Sequence, residues 1–245
     1  VRAWELQRKK EIQAYMEGCR RMLREGGFAE ACIHTRIHQR QRGVARDIIS
    51  EASSGYAAVV LRRRGTTRLS GLVMGSVAQK LMDKLSFLPV LVAGPQAVND
   101  RYLLAVDGSP CSERALHFFG TTMGPSACRV DLVHVTRDKF GSGEGRYADC
   151  LTAVEQGENR SVASLFDESI EALVAYGIPR DHVTTRLVAN SHSRAGGILD
   201  VAEDNACGTI VVGRRGLSRV RDYVIGRVSS KVVQVGRRYT VWVVT

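Results

Sequence analysis

Apolar positions in residues 101–245 alternate between short unbroken runs and stripes at helical spacing. The continuous apolar run at 102–106 is typical of a strand buried in a parallel sheet. Further strands are predicted at 130–135, 183–188, 209–212 and 241–244. The clearest helical stripe between them consists of Leu165, Ile170, Leu173 and Val174. Strands that alternate with helices predict a parallel sheet with right-handed crossover connections.

The first of these strands ends in a turn that leads into a predicted helix. Ser109 is suited to cap the helix, Pro110 to its first position and Glu113 to its first turn. Asp107 stands at the carboxyl end of the strand, where open parallel sheets bind ligands. Its carboxylate could accept hydrogen bonds from ribose hydroxyls or an amino group, or Asp107-Gly108 could simply begin the turn.

An internal repeat relates the two ends of the chain. The segment 57–65 resembles 209–216, and Gly65 and Gly216 are each followed ten residues later by another glycine, Gly75 and Gly226. Segments 33–37, 47–52 and 88–92 resemble 183–187, 197–202 and 239–243 in the same order. The repeat predicts an N-terminal unit at 1–94, a linker at 95–100 and a C-terminal unit at 101–245.

The N-terminal unit of the repeat is incomplete. A charged amphipathic helix is predicted at 1–25, and strand, helix, strand, helix and strand are predicted up to about residue 93. No segment there corresponds to 102–135. Because a sheet without its central strand leaves unpaired backbone edges, we expect the natural chain to contain the missing segment.

The net charge of the chain indicates which kinds of partner it could bind. The net charge of +10 among 245 residues favours anionic partners such as nucleotides, or it is a solvated basic surface. No apolar run reaches eighteen residues, so no membrane span is predicted.

The six cysteines form no CxxC pair, which fits a reducing cytoplasm. Cys32, His34 and His38 would share one face of a strand, but one flat strand converges poorly on an ion, so no metal site is predicted.

Three glycines define the second candidate feature. Gly213 and Gly216 follow the fourth strand of the C-terminal unit, and Gly226 precedes a helix. Glycine lets backbone amides approach a phosphate closely, and a helix N-terminus adds a favourable partial charge. Tight turns are the simpler explanation. Arg214, Arg215 and Arg227 could contact phosphates or could be solvated.

The segments 104–109, 132–135 and 211–226 together resemble the signature of the universal stress protein family. The resemblance covers nearly all of 101–245 and, more weakly, 1–93. It implies that each unit is an α/β fold whose five-stranded parallel sheet has the order 3-2-1-4-5, flanked by helices. Some family members bind ATP and others do not. The positions implied to hold the nucleotide are Ala105, Asp107, Val135, Val212, Gly213, Arg215, Gly216, Gly226, Arg227, Val228 and Ser229.

Two departures from the family pattern bear on nucleotide binding. Nucleotide-binding members have Ser or Thr after the last glycine, where this chain has Arg227. The guanidinium could pair with a phosphate or fill the pocket. The N-terminal unit keeps the small residue, Ser76, but has Arg62 at the first glycine position, where a side chain would intrude. We therefore expect the N-terminal unit not to bind nucleotide by itself.

These observations lead to one main functional expectation and two alternatives. The chain is expected to be a cytoplasmic stress-response protein that binds adenine nucleotide, ATP, in its C-terminal unit, with Mg²⁺ only alongside the nucleotide. Catalysis is not expected, although slow ATP hydrolysis stays open, because the sequence shows no paired carboxylates near the glycines and no Walker lysine. No specific nucleic-acid binding is predicted.

The first alternative is a nucleotide-free interaction module whose two units pair within one chain, with a homodimer as a further option. The second is phosphotransfer to Asp107. That chemistry requires further acidic residues for Mg²⁺, and the strand bearing Asp107 has no neighbouring acidic pair.

Overall fold

The computed structural model describes residues 2–63, 74–95, 99–124, 126–136, 162–189, 191–217 and 225–245. The chain divides into two compact units, Val1–Arg42 and Gly43–Thr245. No helix of the described residues is long and apolar enough to cross a membrane. The boundaries predicted from the repeat, with a linker at 95–100, stay a prediction.

The first compact unit begins with the predicted charged helix, α1 (Arg2–Glu25), followed by a 3-10 turn (Glu30–Cys32). Arg20 and Arg24 both form ion pairs with Glu30. The strand predicted at 33–37 is wrong, because residues 33–40 form neither helix nor strand. Its counterpart at 183–188 pairs with a neighbouring strand, whereas the described residues of this unit contain no strand to accept its hydrogen bonds. The shared strand face of Cys32, His34 and His38 is therefore absent.

The second compact unit alternates strands with helices. The strands are β1 (Val59–Arg62), β2 (Val90–Ala93), β3 (Arg101–Ala105), β4 (Arg129–Val135), β5 (Val183–Val188), β6 (Thr209–Gly213) and β7 (Thr240–Val244). The helices are α2 (Val44–Ala52), α3 (Ser76–Lys84), α4 (Pro110–Met123), α5 (Val162–Ala175), α6 (Arg194–Asp204) and α7 (Arg227–Val235).

Seven strands of the described residues form one sheet in the order β1-β2-β7-β6-β3-β4-β5. The five strands of residues 101–245 are all parallel and follow the order third, second, first, fourth, fifth. This confirms the α/β fold and strand order implied by the resemblance. Residues 43–94, which we call the N-terminal half, add two strands through an antiparallel pairing of β2 with β7 that places Val90 opposite Val243.

Helices cover both faces of the sheet and create two buried clusters. On one face, Leu81 of α3 and Val232 of α7 belong to the same cluster as Val92 and Val241. On the other face, Phe119 of α4 and Leu173 of α5 pack with Trp242. Since the first cluster includes side chains from the N-terminal half and from the C-terminal strands, the antiparallel junction lies within a continuous core.

Candidate functional site

Asp107 lies in the turn between β3 and α4, at the carboxyl end of the central strand. Its Oδ1 accepts a hydrogen bond from the backbone N–H of Ser109 at 3.0 Å. Ser109 caps α4 as predicted, because its Oγ accepts from the N–H of Ser112 at 3.2 Å. Gly108 has φ +73°, a backbone conformation in which glycine is favoured. Asp107 thus organises the turn, and its position at the strand end also suits ligand binding.

The segment after β6 packs directly against this turn. The Ser109 hydroxyl donates to the carbonyl oxygen of Arg215 at 3.2 Å. A Cβ built on Gly216 would lie 2.4 Å from Oδ2 of Asp107, so a side chain there would displace the carboxylate. Glycine at this position therefore allows the main chain to approach the carboxylate.

The other two glycines of the motif also allow close packing. A Cβ on Gly213 would lie 2.8 Å from the main chain of Cys111 and Ser112 at the start of α4. Gly226 caps α7, and its N–H donates to the carbonyl oxygen of Arg214 at 2.8 Å. From the sequence, Gly213 was expected to let the backbone approach a phosphate. The structure shows that this glycine makes room for the start of α4.

These elements enclose a cavity of about 430 Å³ at the carboxyl ends of β3, β4 and β6. All eleven residues that the sequence predicted to hold a nucleotide line it: Ala105, Asp107, Val135, Val212, Gly213, Arg215, Gly216, Gly226, Arg227, Val228 and Ser229. The structure brings together positions that are more than a hundred residues apart in the chain. Ligand binding by these residues stays a prediction.

Sequence reasoning missed several lining residues, of which His134 and Arg194 carry polar groups. His134 is buried on β4, and its Nδ1 lies 2.8 Å from the carbonyl oxygen of Val106. Arg194 begins α6, next to its cap Ser193, whose Oγ accepts from Lys231 of α7 at 3.2 Å. Only the fold places the start of α6 beside α7.

The electrostatics of the cavity favour an anion. The helices α6 and α7 begin at its wall, and α4 begins three residues after Asp107. Helix N-termini carry partial positive charge and free N–H groups. The lining residues Arg194, Arg215 and Arg227 add three exposed guanidinium groups. The described residues contain no group of three or more side chains suited to hold a metal ion.

The comparison with family sequence models matches the universal stress protein family over residues 99–244. The chain belongs to the universal stress protein family. The sequence prediction of the family is confirmed for these residues, which include every residue of the cavity wall. A search of curated protein sequences found no match.

Solved structures share the universal stress protein fold with this chain. A universal stress protein from Archaeoglobus fulgidus DSM 4304 matches at 23% identity with a TM-score of 0.55, covering 82% of this chain. The chain spans 64% of that protein's length. A functionally unknown protein from Pseudomonas aeruginosa PAO1 matches at 14% identity with a TM-score of 0.60, covering 95% of this chain and 77% of its own. At these identities the likeness extends to the fold alone.

The family's glycine motif has a geometric counterpart in the N-terminal half. Gly75 caps α3, and its N–H donates to the carbonyl oxygen of Arg63 at 2.9 Å, as the N–H of Gly226 does to Arg214. Arg62 ends the strand β1 with an exposed side chain. The position that departs from the motif thus holds a long charged side chain where the C-terminal unit has Gly213.

Arg214 does not line the cavity, contrary to its suggested role as a phosphate contact. Its side chain is buried and donates to the main-chain carbonyl oxygens of Leu85 at 2.7 Å and Met82 at 2.5 Å. Arg215 and Arg227 lie at the cavity wall. The sequence could not separate these neighbours, because all three are arginines beside a glycine.

Proposed function

We propose that the cavity of the C-terminal unit binds adenine nucleotide, with ATP as the ligand. The convergence of all eleven motif positions on one cavity carries this proposal. A volume of about 430 Å³ lies within the usual range of small-molecule sites, roughly 300–1,000 Å³. The family membership of residues 99–244 supports the same function.

The chemistry of the wall suits each part of such a ligand. Asp107 supplies a carboxylate acceptor for ribose hydroxyls, and Val135 supplies main-chain groups and an apolar surface for the base. The start of α7 after Gly226, together with Arg215 and Arg227, suits phosphates, because helix N-termini and guanidinium groups both stabilise phosphoryl oxygens. In this proposal Mg²⁺ enters only with the nucleotide, and the protein binds and senses the nucleotide without turnover.

Calorimetric titration of ATP at moderate salt tests the proposal. We expect micromolar binding that is lost in Gly216→Arg, because the new side chain would displace Asp107 and enter the cavity. Gly18→Arg is the matched control, since no atom lies within 4 Å of a Cβ built on Gly18 in α1. Folded wild-type protein that binds no ATP would contradict the proposal.

A nucleotide-free interaction module is the second candidate. The packing roles of Gly213 and Gly216 favour it, because both glycines have a structural reason that needs no ligand. In this case the antiparallel β2–β7 junction represents pairing of the two units within one chain, and the basic surface recruits a partner in the cytoplasm. Absence of ATP binding would make this candidate the leading one, and sedimentation equilibrium would decide between monomer and homodimer.

A further inference from the structure

Arg214 connects the glycine segment to the N-terminal half. Arg214 is 1% exposed, and its guanidinium donates to the carbonyl oxygens of Met82 and Leu85. Both carbonyls lie at the C-terminus of α3, where the last turn leaves carbonyl groups without helical partners. A cation at a helix C-terminus is also stabilised by the helix dipole.

Arg63 occupies the equivalent position of the repeat and makes the reciprocal contact. It is 7% exposed. Its guanidinium donates to the carbonyl oxygens of Val233 and Gly236 at the C-terminus of α7 and to that of Tyr239, just before β7. Each half therefore inserts one arginine into the helix end of the other half. The two contacts are alike in chemistry, which makes Arg63 a matched reference for Arg214.

Both guanidinium groups are buried among main-chain carbonyls. Burial lowers the pKa of Arg214 and of Arg63, and the neighbouring charges of Arg215 and Arg237 lower each further. Arginine nevertheless stays protonated in proteins, so each site holds a buried cation. Buried charges are costly unless hydrogen bonds satisfy them. Removing either arginine would leave the carbonyl groups at the helix end that it contacts without their hydrogen-bond donor.

The main chain of Arg214 lies between two residues of the cavity wall, Gly213 and Arg215. Its N–H donates to Val244 at 2.5 Å, and its carbonyl oxygen accepts from the N–H of Gly226 at 2.8 Å. The carbonyl oxygen of Arg215 accepts from Ser109. One residue therefore has its side chain anchored in the N-terminal half and its main chain hydrogen-bonded to the cap of α7. Arg63 differs because its main chain is hydrogen-bonded to the cap of α3 and not to that of α7. The C-terminal end of α7 that its side chain contacts lies about 12 Å from the start of that helix.

We propose that the N-terminal half positions the nucleotide-binding segment of the C-terminal unit through Arg214. The backbone geometry of 213–216 and the cap of α7 then depend on α3, although no residue of α3 lines the cavity. Arg214 is a positioning residue in this arrangement. The effect on ligand affinity rests on the proposed nucleotide binding, whereas the effect on the segment itself does not.

Hydrogen exchange of the ligand-free protein tests the positioning directly. In Arg214→Met we expect exchange to rise at least about tenfold in peptides covering 213–217 and 226–230, since a hydrogen bond to a charged group contributes more than ~1.4 kcal/mol. Arg63→Met should raise exchange at 233–239 and leave 213–217 unchanged. Equal exchange at 213–217 in wild type and Arg214→Met would overturn the proposal, as would an equal rise in Arg63→Met. Arg214→Lys keeps the charge but lacks the planar guanidinium, and it replaces Arg214→Met in the exchange measurement if Arg214→Met does not fold.

Titration with ATP then separates the two proposals. Loss of about tenfold in affinity in Arg214→Met or Arg214→Lys, against less than about twofold in Arg63→Met, is the expected result. If wild type binds ATP and the Arg214 and Arg63 variants lose affinity equally, the proposed role of Arg214 in positioning the binding segment is wrong. If wild type binds no ATP, the nucleotide function is wrong, and the exchange experiment alone decides whether the N-terminal half holds the segment.

Discussion

Asp107 and Gly216 are in direct contact: the Asp107 carboxylate lies against the Cα of Gly216, so that a Cβ there would fall 2.4 Å from Oδ2. The other carboxylate oxygen accepts from the N–H of Ser109. The same side chain therefore organises the β3–α4 turn and sets the position of the glycine segment. This gives Asp107 a structural role that is independent of any ligand.

Replacing Asp107 should separate its structural role from its charge. We expect Asp107→Ala to lower the free energy of unfolding by about 1 kcal/mol, because the N–H of Ser109 loses its acceptor. Asp107→Asn keeps an oxygen in place and should be less destabilised, while its ATP affinity falls with the lost charge. Urea denaturation and ATP titration of both variants check this; equal destabilisation of the two would contradict the role assigned to Oδ1.

Gly213 should tolerate no side chain. A Cβ there would meet the main chain of Cys111 and Ser112 at 2.8 Å, and backbone at a helix start cannot move aside cheaply. Gly213→Ala is expected to lower the free energy of unfolding by about 1–3 kcal/mol. Gly196→Ala in α6 is the control, since an added Cβ there meets only the Ser193 hydroxyl at 3.0 Å. Urea denaturation with a smaller loss for Gly213→Ala than for Gly196→Ala would refute this assignment.

Arg227 offers a test of the departure from the family motif. The side chain is exposed at the cavity wall, so we expect it to contact phosphate and not to fill the site. Arg227→Ser should weaken ATP binding by about tenfold, as expected for a charge-assisted contact. Arg237→Ser, an exposed arginine beyond the end of α7, should leave the affinity unchanged. Tighter binding by Arg227→Ser would mean that the guanidinium occupies the phosphate position.

Cys207 should be protected from alkylation and should contribute to stability in alkaline solution. Burial and the hydrogen bond to Asp131 raise the pKa of its thiol to about 12. Because the folded state holds this proton more tightly than the unfolded state, the contribution is present below the unfolded pKa. It is lost as pH rises from about 9 towards 12.

Two measurements check the prediction for Cys207. At pH 8, site-resolved mass spectrometry should show exposed Cys32 alkylated well before Cys207. Between pH 8 and pH 10.5, the free energy of unfolding should fall more steeply in wild type than in Cys207→Ala. Parallel pH profiles would show that the thiol proton does not contribute to stability.

The C-terminal unit could be predicted from the sequence because its local patterns agree with its tertiary structure. The five predicted strands formed, and Ser109 caps α4 as its residue type indicated. The strand predicted at 33–37 from its likeness to 183–187 is wrong, because a strand needs a neighbour for its backbone hydrogen bonds. The pattern there contained no information about that neighbour.

The sequence predicted the cavity-lining residues that belong to the family motif but not the others. His134 and Arg194 belong to elements that meet the motif only through the strand order. The buried contacts of Arg63 and Arg214 were also invisible, because their partners are carbonyl groups, which every residue has. Sequence patterns identify the side chains at such contacts but not the backbone groups they reach.

Among the strands that the structure describes, one antiparallel junction, between β2 and β7, reverses the polarity of the sheet. The carboxyl ends of β1 and β2 therefore emerge on the rim opposite to the cavity, and the motif at Arg62 and Gly75 lies on that far rim. A helix that follows a strand returns to the strand's starting rim, so α3 ends on the cavity's rim. Reversed polarity thus brings the electronegative end of a helix from one half to the electropositive cavity of the other, where Arg214 meets it.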